Sequence, residues 1–445
     1  MSSTRALAND RLTRDIVYPF ANANFLAKHP PLCIEGGDGV HVFDGRGKRY
    51  IDGQGGLWNV NMGHGRPEVK AAIVAQLDKL SFYSMFGNTT TEPSLELAEL
   101  MCRLTAEEGM ARVFYSSGGS EAVEAAIKLV RQYWRLSGEP RRTKFISLRL
   151  AYHGVTLGAL SLNGRTPYRE QFEPLLPGFF QIEPPYLYRN PICAELLERE
   201  IIYQGPDSVA AFIAEPIQGA GGVIVPPPNY WPLAREICDR HGVLMISDEV
   251  VTGFGRSGSM LGCRAFGVKP DIMTFAKGIN SGYVPLGATM INDRVAAAFD
   301  SDDDNEFTPR AFMHGNTYAG HPLACAAAIA NLHIVEDENL PANAKEVGAY
   351  FLARLEGIAD RHPHIGDVRG MGLMLAVELV ADKATKQPFD LADRFGARVW
   401  ERCVENGVLI RNLADTFIIS PPLTLKKEHV DEMVDVFDRA LAAEE

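Results

Sequence analysis

The order of apolar and polar positions predicts two kinds of element along most of the chain. Short runs that are almost wholly apolar, such as 209–214 and 243–246, end abruptly in polar residues. Such runs are typical of strands that a parallel sheet buries on both faces. Longer segments, such as 66–80 and the one that follows Ser120, repeat apolar residues every three or four positions and predict amphipathic helices. The pattern therefore predicts an α/β fold with a mostly parallel sheet flanked by helices.

The two ends of the chain follow a different pattern. Residues 1–35 predict an irregular arm with a short helix, and 39–53 predict a hairpin around the turn 44–47. Beyond a long alanine-rich helix, the chain leads into a smaller carboxyl-terminal domain. That domain is predicted to contain a strand in 368–379, a helix in 391–407, a strand over 408–413, and then a last strand and a last helix.

Composition and charge exclude several classes of partner. The chain has 445 residues and a formal net charge of −12, and no basic block offsets that charge. A nucleic-acid or membrane partner is therefore not expected. The seven cysteines show no CxxC or metal-like spacing, which favours a reduced, cytoplasmic setting and no metal site. No apolar run approaches the length of a membrane helix, and residues 1–14 lack the apolar core of a secretory signal.

One aspartate and one lysine stand at the ends of two predicted strands. Asp248 follows the run 243–246, and Lys277 ends the run 271–278 after a glycine-rich connection. Neighbouring parallel strands end at the edge where open α/β sheets bind ligands. The pair fits either a satisfied ion pair or a pyridoxal phosphate site. In such a site the lysine forms a Schiff base and the aspartate keeps the pyridinium nitrogen protonated.

A phosphate-binding loop is predicted at 116–120. Here a short strand runs into two serines and two glycines, and an amphipathic helix follows Ser120. Small residues leave the first backbone N–H groups of a helix free, and the helix dipole adds positive potential. A plain helix cap, with Glu121 in the first turn, would use the same residues.

The ends of two further predicted strands carry residues that could contact a ligand, although each has an equally ordinary structural explanation. A strand in 143–156 is predicted to end near Tyr152 and His153. There an aromatic ring either stacks on a planar ligand or fills the core or rim of the protein. Glu215 ends another apolar strand, just before a glycine-rich loop.

Two more features have a structural and a functional interpretation. Arg411 follows a short apolar strand, and its guanidinium suits either an ion pair or the carboxylate of a substrate. Leu57 and Trp58 stand among glycines, where large side chains also serve as loop anchors.

A dinucleotide-binding motif is suggested by the GxGxxG pattern at 253–258 and by Asp271. That motif requires its last glycine to open a helix and its acid to end a strand. The residues after Gly258 are poor helix formers, and Asp271 begins its strand. The match is therefore interpreted as accidental.

Together these motifs make the chain resemble the class III aminotransferases, which are pyridoxal 5'-phosphate enzymes of fold type I. Within that class the chain is similar to the ω-amino acid (or amine):pyruvate aminotransferases. The resemblance spans nearly the whole chain and is carried by GLWNVNMGHG, SSGGSEA, AYHG, EPIQGAGG, DEVVTGFGRSG, FAKGINSGYVPLG, HGNTYAGHP and VRGMGLM. It implies a large cofactor-binding domain of 61–325. It also implies a small domain formed by 326–445 together with the amino-terminal segment 1–60.

The resemblance implies a role for each site residue. Lys277 is implied to bond to the cofactor and then to carry a proton to and from the substrate carbon, while Asp248 pairs with the pyridinium nitrogen. The other implied cofactor contacts are Gly118, Gly119, Ser120, Tyr152, His153, Glu215, Val250 and Thr317. The implied substrate contacts are Phe20, Leu57, Trp58, Phe86 and Arg411. Tyr152 and Val250 are implied to cover the two faces of the cofactor ring.

The resemblance also implies an assembly. Thr317 is implied to reach the cofactor phosphate of a partner subunit, so we expect a homodimer with shared active sites, or a tetramer built from it. Three positions depart from the common pattern of the class. Gly118 replaces a serine, Val251 replaces a glutamine, and Ala220 replaces a glutamate that restrains the substrate-binding arginine. The last two departures resemble the pyruvate-using subgroup.

The expected reaction transfers an amino group from an ω-amino acid or amine to pyruvate, giving alanine and an aldehyde or ketone. Three alternatives stay open on the sequence alone: an aminomutase on the same scaffold, a 2-oxoglutarate-dependent aminotransferase, and a scaffold protein without a cofactor. The residues do not name the amine donor, for which β-alanine, taurine, a diamine or an arylalkylamine would all suit the pocket.

Overall fold

The computed structural model describes residues 15–189, 194–302, 305 and 307–445. Residues 1–14, on which the expectation of no secretory signal rests, lie outside this part. The strands are β1 Ile34–Asp38, β2 His41–Asp44, β3 Arg49–Asp52, β4 Met110–Ser116, β5 Lys144–Leu148, β6 Phe179–Ile182, β7 Val209–Ala214, β8 Leu244–Asp248, β9 Ile272–Phe275, β10 Gly287–Asn292, β11 Ile365–Met371, β12 Met374–Leu379, β13 Val408–Leu409, β14 Arg411–Leu413 and β15 Thr416–Ile419.

The α-helices alternate with these strands. They are α1 Ala23–Lys28, α2 Gly55–Trp58, α3 Pro67–Lys79, α4 Glu92–Leu104, α5 Gly119–Leu136, α6 Leu157–Leu162, α7 Thr166–Arg169, α8 Glu195–Gln204, α9 Tyr230–His241, α10 Gly262–Ala265, α11 Asp293–Ala297, α12 Pro322–Asp337, α13 Leu340–Ala359, α14 Phe395–Glu405 and α15 Lys427–Ala442. In the part of the chain that the structure describes, no helix has the length and apolar character that a bilayer crossing requires.

A seven-stranded sheet forms the centre of the molecule, in the order β4-β10-β9-β8-β7-β5-β6. The strands from β9 to β6 run parallel, and β10 runs antiparallel to both of its neighbours. Every residue of β7, β8 and β9 is buried. Burial on both faces explains why these runs show no alternation of apolar and polar residues. The predicted parallel pair is confirmed, because Asp248 on β8 lies opposite Thr274 on β9.

Helices cover both faces of this sheet. Four residues of α5 that lie along one face of the predicted helix are buried against the sheet: Val123, Ile127, Val130 and Trp134. On the other face, α4 and α12 contribute Leu97, Met101 and Leu332 to a cluster with Met273 and Phe275 of β9. These layers hold the strand ends and the start of α5 at one edge of the sheet.

Two smaller sheets flank the large one, in the orders β1-β2-β3-β13 and β11-β12-β15-β14. The predicted hairpin is confirmed as β2 and β3, and β3 pairs with β13 near the other end of the chain. This pairing joins the amino-terminal segment to the carboxyl-terminal part. The division into domains at residues 60 and 325 stays a prediction.

Three strand predictions were wrong in their bounds. Residues 368–379 form a hairpin instead of one strand, because Gly372 turns the chain with φ of 59°. The strand 408–413 divides at Ile410, since Val408 pairs with Ile51 in one sheet and Arg411 pairs with Ile418 in the other. The strand before Tyr152 ends at Leu148, because Leu150 adopts a left-handed φ of 63°.

Candidate active site

A cavity of about 1710 Å³ lies at the carboxyl ends of β7 and β8, beyond β9, and at the amino-terminal end of α5. Most of the predicted site residues line it together: Phe20, Leu57, Trp58, Gly118, Gly119, Ser120, Tyr152, His153, Glu215, Asp248, Val250, Lys277 and Arg411. Residues from both ends of the chain and from its middle therefore meet in one place. Phe86 and Thr317 are not among the lining residues.

Asp248 is the last residue of β8 and is buried, with both carboxylate oxygens in hydrogen bonds. Its Oδ1 accepts hydrogen bonds from Thr274 Oγ1 at 3.0 Å and from the backbone N–H of Val250 at 3.2 Å. Its Oδ2 lies 2.6 Å from Nδ1 of the buried His153. Asn163 fixes His153 by accepting its backbone N–H at 2.6 Å. The carboxylate is thus held in one orientation at the cavity floor.

The neighbouring acid, Glu249, lies outside this arrangement. Its carboxylate accepts hydrogen bonds from Thr252 Oγ1 at 2.5 Å and from the backbone N–H groups of Gly262 and Cys263 at 2.8 and 2.7 Å. Burial raises the pKa of Glu249. These partners lie in and just after the glycine-rich connection that follows β8, so Glu249 holds that connection in place. Glu249 does not line the cavity.

Glu215 is the second acid of the cavity floor and directly follows β7. Its two oxygens accept the backbone N–H groups of Tyr152 at 3.1 Å and Gly219 at 2.8 Å. Burial, and next the negative charge of Asp248, raise the pKa of Glu215 to about 7, although His153 opposes the rise. Glu215 therefore ties the loop that carries Tyr152 to the loop that follows β7.

Lys277 lies just beyond the end of β9, in a short 3-10 turn, Lys277–Ile279. Its backbone is left-handed, with φ of 43°, a conformation that a side chain with a Cβ disfavours. Burial lowers the pKa of Lys277, while the negative charges of Asp248 and Glu215 raise it in part. Its ammonium makes no hydrogen bond within the described residues, so its nitrogen is free to react.

The start of α5 matches the predicted phosphate site. The first backbone N–H groups of a helix have no partners within the helix, and Gly118, Gly119 and Ser120 line the cavity there. A Cβ on Gly118 would meet no atom within 4 Å. The position therefore has room for the serine that is common in the class. A Cβ on Gly119 would lie 3.1 Å from the Val250 side chain, so a larger residue at this position would require Val250 to shift.

Two side chains flank the space between the helix start and Asp248. Tyr152 is half-buried, and its ring meets Tyr168 edge-on at 6.0 Å between centroids. Val250 lies beside Gly119 and lines the same space. A buried carboxylate, a helix amino terminus, a free lysine and flanking side chains together fit a phosphorylated pyridine ring such as that of pyridoxal 5'-phosphate.

Arg411 is the first residue of β14 and lines the cavity half-buried. Its guanidinium forms no hydrogen bond or ion pair with any residue that the structure describes. Burial lowers the pKa of Arg411, and the nearby Arg165 lowers it further. Ala220 also lines the cavity and offers no carboxylate. A half-buried cation without a partner is suited to an anionic ligand.

One wall of the cavity is formed by a strained turn. Gly55, Gly56 and Trp58 all have positive φ, and Trp58 is 3% exposed whereas Leu57 is 53% exposed. The buried Asp52 holds this turn by accepting the backbone N–H of Gly56 at 2.8 Å. Trp58 packs in the core and also lines the cavity. Its predicted contact with a substrate stays a prediction.

Phe20 lines the cavity from the amino-terminal arm. It has a left-handed φ of 52° and is 70% exposed. Its ring meets Tyr168 edge-on at 5.2 Å. Tyr168 links Phe20 to Tyr152, and sequence reasoning missed it because it lies on a short helix, α7, without a strand-end or glycine-rich signal.

Neither Phe86 nor Thr317 lines the cavity, and Phe86 packs against the segment that carries Thr317. The Phe86 ring packs against Gly315, close enough that a Cβ there would clash with it at 2.5 Å. Both Phe86 and Thr317 are exposed. The described chain does not bring them to its own cavity, so their predicted roles stay predictions.

Thr274 is a second residue that sequence reasoning missed. It lies in the middle of an apolar run and resembles an ordinary strand residue in the sequence. Only the pairing of β8 with β9 places its hydroxyl against Asp248. The signal is thus the register between strands, which the order of residues alone does not contain.

Comparisons with known proteins agree with this geometry. Residues 24–441 match the family model described as Aminotransferase class-III. The putrescine–pyruvate aminotransferase of Pseudomonas aeruginosa is 39% identical, over 95% of this chain and 93% of its own length. A PLP-bound amine transaminase from an uncultivated Pseudomonas species has a TM-score of 0.94 at 48% identity and covers 97% of this chain and 99% of its own. An (S)-enantioselective ω-transaminase from Thermomicrobium roseum has a TM-score of 0.93 at 41% identity, covering 99% and 98%.

Proposed function

The chain belongs to the class-III aminotransferases, pyridoxal 5'-phosphate enzymes, and from this we propose that it transfers an amino group from an ω-amino acid or amine to pyruvate. The products are alanine and an aldehyde or ketone. The observation that carries the choice of acceptor is Arg411, a half-buried arginine without a partner among the described residues, in the cavity that also holds Lys277. The amine:pyruvate activity in the name of the Pseudomonas aeruginosa relative supports the same reaction.

The residues of the floor would hold the cofactor. The backbone N–H groups at the start of α5 suit its phosphate, and Tyr152 and Val250 flank the space for its ring. Asp248 faces the place of the pyridine nitrogen, and Lys277 would hold the cofactor covalently. When bound, the cofactor withdraws electrons and makes a proton on the substrate carbon acidic.

Lys277 is the proposed acid and base of the reaction. Because burial lowers its pKa, a larger share of its amine is neutral and able to take a proton near neutral pH. Its Nζ removes the proton from the substrate carbon and later returns it. One positioned group of this kind contributes a rate factor of about 10² to 10⁴.

Asp248 is proposed to keep the ring nitrogen protonated. An opposite charge within a few ångströms favours the charged form of its partner. Thr274 and Val250 donate hydrogen bonds to Oδ1 of this aspartate, and His153 is hydrogen-bonded to its Oδ2, so the carboxylate is held in place. A fixed carboxylate in a buried site needs no reorganisation when the proton arrives.

Arg411 is proposed to bind the carboxylate of pyruvate. A charge-assisted bond from a guanidinium to a carboxylate is strong and directional. Trp58 and Leu57 close the neighbouring wall with apolar surface. The second carboxylate of 2-oxoglutarate would be desolvated against this wall without a partner, so pyruvate is the proposed acceptor.

A homodimer in the cytoplasm is also proposed. Phe86, Met313 and Tyr318 are exposed apolar or aromatic side chains close to Thr317. A second copy of the chain would bury them and bring Phe86 and Thr317 to its own cavity. The described cysteines form no disulfide, which fits a reducing compartment.

The test is a panel of amine donors with either pyruvate or 2-oxoglutarate as acceptor, with amino acid products measured by chromatography. The proposal expects alanine to form in amounts equal to the amine consumed. It also expects kcat/KM to be at least about tenfold higher for pyruvate, the loss that one unpaired buried charge produces. Equal use of the two acceptors would contradict the assigned acceptor. Rearrangement of the donor without any keto acid would instead indicate an aminomutase.

A further inference from the structure

We propose that Asn331 is a positioning residue for Lys277, which it holds in its left-handed conformation from a helix behind the cavity. Asn331 lies in the middle of α12 and is fully buried. It does not line the cavity. The proposal rests on the proposed role of Lys277 as the reacting lysine.

In the segment that follows Lys277, the carbonyl groups of Gly278 and Ile279 accept no backbone hydrogen bond within the described residues. Both Lys277 and Ser281 are left-handed, with φ of 43° and 52°, and the short 3-10 turn Lys277–Ile279 does not continue as a longer helix. Residues of this kind are strained and persist only where the surroundings hold them. Buried carbonyl groups in such a segment need partners from elsewhere in the protein.

Asn331 supplies those partners with every polar atom of its side chain. Its Nδ2 donates to the carbonyl oxygens of Gly278 at 2.9 Å and Ile279 at 3.0 Å. Its Oδ1 accepts the hydroxyl of Ser281 at 2.6 Å. All three bonds go to the residues directly after Lys277, and the side chain makes none to another part of the described chain.

A second asparagine closes the segment from the other side. Asn61 donates its backbone N–H to Ser281 Oγ at 3.1 Å, and its Oδ1 accepts the guanidinium of the fully buried Arg256 at 2.9 Å. A Cβ on Gly278 would lie 2.4 Å from Asn61 Nδ2, which explains why a glycine follows Lys277. The turn after Lys277 is therefore clamped between Asn331 and Asn61.

This clamp connects a residue outside the cavity to the chemistry. The reacting nitrogen of Lys277 sits at the end of a flexible side chain, so its position depends on the direction in which the backbone launches it. A misplacement of about 1 Å by a residue far from the reacting atoms costs about 100-fold in rate. Loss of the clamp is thus expected to lower kcat without changing the contacts that bind the substrates.

The chain offers a matched control in Asn343 on α13. Its Nδ2 also donates to two loop carbonyls, those of Leu423 at 2.6 Å and Leu425 at 3.0 Å. Neither of those residues lines the cavity. A change at Asn343 removes bonds of the same type and tests the effect of lost stability alone.

The experiment compares Asn331→Asp, Asn331→Ser and Asn343→Asp with the unchanged holoenzyme. Aspartate keeps the size of the side chain but cannot donate to the two carbonyls, and serine leaves room for water if the aspartate variant does not fold. We expect both Asn331 variants to lose 10- to 100-fold in kcat, with KM for amine and pyruvate unchanged within about twofold. Asn343→Asp should lower the melting temperature by a similar amount and keep kcat within about twofold.

A crystal structure of Asn331→Ser gives a measurement that does not depend on activity. The proposal expects φ of Lys277 to leave the left-handed region or its Nζ to shift, while the Asn343→Asp structure keeps both unchanged. A kcat within twofold of wild type in a folded Asn331 variant would overturn the proposal, as would an equal loss in Asn343→Asp. If Lys277→Ala itself stays active, the proposed catalytic site has failed instead.

Discussion

At the floor of the cavity, His153, Glu215 and Asp248 are all hydrogen-bonded within the protein, whereas at its rim the guanidinium of Arg411 has no partner in the part of the chain that the structure describes. The floor is also buried, while Phe20 and Leu57 at the rim are 70% and 53% exposed. Hydrogen-bonded carboxylates such as Asp248 and Glu215 are fixed before any ligand arrives, whereas the unpaired guanidinium of Arg411 is available to bind an anionic ligand. The difference assigns the chemistry to the floor, which consists of His153, Glu215, Asp248 and Lys277. It assigns the choice of substrate to the rim, which includes Arg411, Phe20 and Leu57.

The largest expected effect is at the floor, in Lys277→Ala. Removing the proposed acid and base is expected to lower kcat by at least about 10⁴-fold, the upper end of what one positioned group of this kind contributes. The melting temperature should stay close to that of the wild type, because the Lys277 side chain makes no hydrogen bond within the described residues. Steady-state kinetics and thermal unfolding check this. A folded variant with more than a trace of activity would show that the reacting lysine lies elsewhere.

Asp248→Asn is the second change at the floor. The amide still accepts a hydrogen bond from Thr274 but carries no charge to favour a protonated ring nitrogen. Losing the opposite charge is expected to lower the pKa of the ring nitrogen by about one to three units, which predicts a fall in kcat of about 10- to 1000-fold. The matched control is Glu249→Gln, an adjacent buried acid bonded to Thr252 and to the turn at Gly262. It should reduce stability and leave kcat within a few-fold. A loss of kcat in Glu249→Gln but not in Asp248→Asn would instead assign the pairing with the ring nitrogen to Glu249.

Glu215 gives the floor a predicted pH dependence of stability. Its pKa is about 7 in the folded protein, above the ordinary carboxyl value of 4.5. Between pH 4.5 and 7 the folded state therefore binds more protons, so the free energy of unfolding falls as pH rises through this window and levels off above it. Relative to Glu215→Gln, the wild type should lose about 2 to 4 kcal/mol across that range. Denaturant unfolding at several pH values measures this free energy. The prediction would be contradicted if the free energies of unfolding of the wild type and Glu215→Gln changed in parallel with pH.

The smallest expected effect is at the rim, in Arg411→Ala. Loss of one charge-assisted bond to a carboxylate predicts a fall in kcat/KM for pyruvate of about 10- to 100-fold. An amine donor without a carboxylate should change by less than about threefold, because it makes no such bond. Arg165→Gln is the matched control, since Arg165 already donates to the carbonyl of Ala220 at 2.9 Å. Unchanged pyruvate kinetics in Arg411→Ala would remove the basis for the proposed acceptor.

The floor was largely predictable from the sequence, because it lies where buried parallel strands end. Asp248 and Glu215 follow apolar runs directly, and the pairing of β8 with β9 was correctly expected. Lys277 was expected at the end of its strand and lies two residues beyond it, in a 3-10 turn. Its left-handed backbone and the support from Asn331 were not expected. Those features depend on contacts between distant segments, which local patterns do not record.

The rim was less predictable from local patterns, since its residues come from four separate parts of the chain. Arg411 reaches the cavity because 408–413 divides between two sheets at Ile410, while the pattern of residues predicts one strand. Tyr168 had no signal at all. Phe20, Leu57 and Trp58 were identified through the family resemblance, and the apolar character of these side chains would also suit a core.

Separate measurement of the two half-reactions in Arg411→Ala tests the division between floor and rim most directly. Stopped-flow absorbance follows the amine half-reaction with a donor that lacks a carboxylate, and then the pyruvate half-reaction, in the variant and in the wild type. The account predicts an amine half-reaction within about threefold of the wild type and a pyruvate half-reaction slowed by at least about tenfold. Equal slowing of both would contradict it, because Arg411 would then act on the chemistry of the floor and not on the choice of substrate.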